Sequence, residues 1–205
     1  MKKAKLVTTL GAVALIGVIG VGSTFAYLTD KTGTVTNTFT VGNVTFDDDN
    51  ELGSGLRESA VVRDKETGSY VDNDGDNTWT VITNDYKNLV AGETVYKDPT
   101  VVMGADSEVA WVFAQITNTN NAAFESIAWS EDWVKVDSLS DENAVVYAKT
   151  STIAAGEAST IFTSVTMSKD ITGETVIPAI EVKAFAIQAA GFDSYTDAIK
   201  EVSFE

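Results

Sequence analysis

The chain has 205 residues, a net charge of −16 and neither cysteine nor histidine. Without cysteine there is no disulfide framework, zinc–thiolate site or lipoprotein anchor. Without histidine there is no Ser-His-Asp triad, no H-E-x-x-H zinc site and no imidazole base. So acidic a surface repels nucleic acid and anionic lipid, which argues against nucleic acid as a partner and suits solubility or cation binding.

In chain order, Lys2, Lys3 and Lys5 form a positive start, and Leu6 to Gly22 is an uncharged, largely apolar run. Thr24 and Ala26 then place small residues where a signal peptidase reads. Residues 1–26 therefore read as a signal peptide with an N-terminal signal helix, cleaved between Ala26 and Tyr27. An uncleaved signal is the one expected membrane contact. Removing its three lysines takes the charge of the secreted, extracellular or cell-surface remainder to −19.

Residues 27–205 read as one domain, about 180 residues and large enough to bury a core by packing alone. Short runs rich in Val and Thr are punctuated by Gly, Asn and Asp, and only Pro99 and Pro178 interrupt the chain. This pattern predicts an all-β fold, an antiparallel β-sandwich or barrel. The expected strands are Thr34–Phe46, Thr78–Thr83, Thr100–Met103, Glu108–Thr117, Ala144–Thr150, Thr160–Met167 and Ile177–Gln188. Asn121–Ser126 and Tyr195–Lys200 read as short helical turns, with loops at Asn84–Glu93 and Asn118–Glu125.

In the first strand, Val35, Phe39 and Val41 share one parity while Val44 and Phe46 take the other, so a bulge is expected at Gly42-Asn43. Ala110, Val112, Ala114 and Ile116 form one apolar face, with Trp111 and Phe113 opposite, as in a central strand. Glu181 and Lys183 mark a wet side that turns apolar at Phe185 and Ile187.

Asp30-Lys31-Thr32-Gly33-Thr34 matches the phosphorylation sequence of P-type pumps, but the domains which that chemistry needs do not fit in this chain. Asp72, Asp74 and Asp76 alternate in a way that can converge oxygens on Ca²⁺. Asn77 and Thr83 stand where an EF-hand loop wants Gly and Glu, so a solvated turn is the competing reading. The acidic run Asp47–Glu51 reads as a solvated turn more strongly still. Trp79, Trp111, Trp129 and Trp133 mark either core or a carbohydrate platform, with core preferred for Trp111. No spacing singles out a carboxylate pair for glycoside hydrolysis, and no other catalytic residue or cofactor is expected.

Several segments carry more information together: Gly22–Asp30, Asn37-Thr38-Phe39-Thr40-Val41-Gly42-Asn43-Val44, Leu89–Glu93, Lys97-Asp98-Pro99-Thr100-Val101 and Ala186–Phe192. Together they resemble the TasA/camelysin family of Gram-positive bacteria, exported through a SipW-type signal peptidase. The resemblance runs to about Phe192, with nothing matched between Asp47 and Asn88. It implies a jelly-roll domain, secreted and polymerised into biofilm matrix fibres. There, residues 27–46 are similar to a donor strand that completes the sheet of the next subunit. Val35, Phe39 and Val41 would then fill the acceptor groove, since alternate residues of an added strand point into the sheet. A head-to-tail contact of this kind gives a homopolymer.

Camelysins are also labelled metallo-endopeptidases, but carboxylates alone make a poor zinc site. The expectation is a structural fibre subunit rather than an enzyme. The alternatives are a monomeric cell-surface binding module, with Ca²⁺ as its candidate ligand, and a camelysin-type peptidase.

Overall fold

The structure, a computed structural model, describes residues 29–31, 43–73, 75 and 78–204. These residues form an all-β, sandwich-like fold of four antiparallel sheets with one short α-helix. The strands are β1 (Thr29–Lys31), β2 (Leu56–Ser59), β3 (Val61–Arg63), β4 (Tyr70–Asp72), β5 (Trp79–Val81), β6 (Thr94–Tyr96) and β7 (Thr100–Val102). They continue as β8 (Ala110–Thr117), β9 (Phe124–Trp129), β10 (Trp133–Lys135), β11 (Ala144–Lys149), β12 (Ala158–Thr160), β13 (Phe162–Met167) and β14 (Val182–Gln188). The helix α1 (Tyr195–Ala198) runs into a 3₁₀ turn at Ile199–Glu201, where a helical segment was expected.

The largest sheet has the order β1-β14-β8-β11-β10. At its centre, β8 is apolar on both faces, so it must be covered twice. Ala110, Val112, Ala114 and Ile116 enter the main core, together with Val101 of β7, Phe162 of β13 and the adjoining Met103 and Ile161. Trp111 and Phe113 face the opposite way and join Val146, Phe185 and Ile187 in a second layer. The C-terminal segment roofs that layer with Ala198, Ile199, Phe192 and Phe204. This roof explains why Glu181 and Lys183 are exposed while Phe185 and Ile187, on the same parity of β14, are buried. Phe113 and Phe162 are fully buried, worth about 1.5–3 kcal/mol each in apolar area removed from water.

The other sheets are β12-β7-β2-β5, β6-β13-β9 and the hairpin β3-β4. At the end of β8, Asn118 adopts φ 63°, which asparagine tolerates in a tight turn. Its side chain donates to the Ala179 carbonyl at 2.7 Å.

Two expectations are corrected. Asn121–Ser126 is a turn followed by the start of β9, and the expected Asn118–Glu125 loop ends two residues early, at Ala123. The sequence Phe-Glu-Ser-Ile-Ala-Trp hides this strand because its half-buried residues Phe124, Ile127 and Trp129 do not share one parity. The ladder between β9 and β13 shifts register twice, which breaks the two-residue period. Most of the first expected strand, with its Gly42 bulge, lies outside the described residues. Of that strand, Phe46 forms an isolated bridge to Met103.

Candidate functional site

The edge of the large sheet is the first candidate. β1 pairs antiparallel with β14, matching Thr29 to Ile187, Asp30 to Ala186 and Lys31 to Phe185. This strand stands ahead of every other described element, a few residues beyond the expected cleavage point. Without it, β14 would present an open row of backbone donors and acceptors, the template onto which another strand adds. The expected cleavage residues Ala26 and Tyr27 and the expected assembly residues Val35, Phe39 and Val41 lie outside the described residues.

Of the three aspartates in the metal reading, one lies among the described residues. Asp72 ends β4 and is half-buried, while Asp74 and Asp76 lie outside the described residues. Among the described residues, no three acidic side chains gather as a metal site would require. The acidic run at Asp47 is organised from within the chain. The Asp47 carboxylate pairs with Arg57, Asp48 accepts from the Gly55 amide, and Asn50 Oδ1 accepts from the Leu52 amide at 2.7 Å.

The tryptophans divide. Trp111 and Trp133 are buried, and Trp133 Nε1 donates to Ser159 Oγ at 3.0 Å. Trp129 stacks on Tyr147 with centroids 3.9 Å apart and planes 15° from parallel. A shallow cavity of about 160 Å³ lies beside them, lined also by Phe124, Ile127 and Lys135.

A polar cluster that the sequence does not announce joins β2, the loop after β5 and the segment after β6. Glu58 at the end of β2 pairs with Lys97, and the two side chains are only 10% and 14% exposed. The other oxygen of that carboxylate, Oε2, accepts from Asn84 Nδ2 at 2.9 Å. Asn84 Nδ2 also donates to the Ser59 carbonyl at 2.9 Å, and Asn84 Oδ1 accepts from the Val61 amide at 3.2 Å. This fixes the amide's orientation, because its nitrogen faces two acceptors and its oxygen a donor.

Beside this group, Asp98 accepts from the Ser59 amide at 2.9 Å, from Ser59 Oγ at 2.7 Å and from the Tyr96 hydroxyl at 3.2 Å. Burial raises the Asp98 carboxyl above the ordinary aspartate range, opposed by those three donors and reinforced by the charge of Glu58. Burial and then the charge of Asp98 push Tyr96 up to about 12. Burial, with Glu58 and Asp98 behind it, drives the Tyr86 hydroxyl further still. The Tyr86 ring also lies 5.8 Å from Lys97 Nζ.

The one sequence trace of this cluster is Lys97-Asp98-Pro99, two charges held against a proline where a buried strand begins. No protein-family model, curated protein or solved structure matches the chain.

Proposed function

We propose that this protein is a secreted fibre subunit that assembles head to tail by donating its N-terminal strand to the next copy. The observation that carries this reading is the β1–β14 ladder. The large sheet is completed by the first described strand, through main-chain bonds that any extended segment can supply. A strand next to a free terminus exchanges between copies without unthreading the rest of the fold. The ladder within one chain and the ladder between two then have the same register. Because donor and acceptor are different surfaces, an exchange in which each copy donates to the next without closing into a ring propagates as a filament.

The resemblance to the TasA/camelysin family supports the same reading. In it, the signal peptide directs export through a SipW-type signal peptidase, and the partner is another copy of the chain. A structural role also suits a chain with no histidine or cysteine to serve as base, nucleophile or zinc ligand.

Electron microscopy of the mature protein tests the proposal. Filaments are expected from the mature chain, and a folded monomer without filaments after deletion of residues 27–36. Normal filaments from the deleted chain would overturn strand donation, and an unfolded deletion product would make β1 an ordinary strand of its own domain.

A further inference from the structure

We propose that Asn84 and Lys97 become joined by an isopeptide bond, with Glu58 catalysing its formation. The chain has no cysteine, so any covalent brace must use other side chains. Among the described ion pairs, Lys97–Glu58 is the one whose carboxylate also holds a side-chain amide on its second oxygen. A nucleophilic amine and an electrophilic amide thus share one carboxylate, Lys97 on Oε1 and Asn84 on Oε2.

The reaction needs no outside reagent. Lys97 Nζ passes a proton to Glu58, leaving a neutral amine and a carboxylic acid. The Nζ lone pair then attacks Asn84 Cγ, and negative charge gathers on Oδ1. The Val61 amide, 3.2 Å from Oδ1, is positioned to steady that charge. Glu58 delivers its proton to Nδ2 and takes one from Nζ. The Cγ–Nδ2 bond breaks and ammonia leaves, taking the proton from Glu58 as ammonium. No electron is gained or lost.

Holding both reactants on one carboxylate replaces a bimolecular encounter. Tyr86, half-buried beside Lys97, helps to keep out the water that would compete for the acyl carbon. The product ties the loop after β5 to the segment after β6, bracing the Leu89–Glu93 turn between them.

Intact-mass spectrometry of the purified full chain, followed by peptide mapping, tests this. The expected result is a mass short of the sequence value by one ammonia, with a branched peptide joining Asn84 to Lys97. Glu58→Gln and Lys97→Arg are expected to restore the full mass and lose the branched peptide. A wild-type chain at its full sequence mass overturns the proposal, whether or not the variants fold. So does a deficit carried by linear peptides, or one that persists in Glu58→Gln.

Discussion

At the scale of single residues, the structure turns on polar groups taken out of water and on close backbone approaches. Asp98 is the clearest polar case. Its raised pKa means that the folded chain holds that proton more tightly than the unfolded chain does. Stability from this group is therefore gained as pH falls through the raised value and lost as pH rises through it. The stability of the wild type relative to Asp98→Asn is expected to grow from neutral pH towards the carboxylate range. Denaturant melts across that range check this, and a difference that shrinks in acid contradicts it. Gly55 is the backbone case. A Cβ there would collide with Cβ of Phe46 and stand 2.9 Å from the Asp47 nitrogen and 3.0 Å from the Val102 oxygen. Gly55→Ala is expected to cost about 1–3 kcal/mol, the usual scale for overpacking, and chemical denaturation measures it. Tryptophan roles were legible only in part. The alternation around Trp111 predicts its burial, but Trp133 has no such context, and its bond to Ser159 joins residues 26 apart in sequence.

At the scale of elements, legibility follows period and length. β8 and β11 carry unbroken apolar runs, and each was predicted within two residues of its observed ends. β3 and β4 are three residues each and expose Val62 and Val71, so no buried stripe marks them. β9 is masked by its register shifts. The polar cluster was not legible because Glu58, Asn84 and Lys97 come from three separate segments and meet only through sheet pairing. Since β8 has a core on each side, both of its faces are expected to matter. Phe113→Ala is expected to cost about 3–5 kcal/mol, as for other buried phenylalanines, and to loosen the C-terminal roof. Equilibrium unfolding gives the first result, and faster hydrogen exchange in residues 192–204 gives the second. A loss under 1 kcal/mol would mean that the outer layer packs far more loosely than its burial indicates.

At the scale of the whole molecule, an acidic, cysteine-free β-fold has one sheet edge completed by its first described strand. Such a protein is expected to show no chelator-sensitive peptidase activity, since neither a histidine base nor a conventional zinc ligand set exists. A casein assay on preparations free of host proteases tests that, and metal-dependent cleavage would refute it. The central claim is that the β1–β14 ladder forms between copies. With no native cysteine, a disulfide can be placed there without background. Asp30 and Ala186 face each other across the ladder, so Asp30→Cys is introduced in one chain and Ala186→Cys in another. The two are mixed, assembled and oxidised. Strand donation predicts a disulfide-linked heterodimer on a non-reducing gel, formed only when filaments form. Filaments that assemble with both chains still unlinked would contradict it.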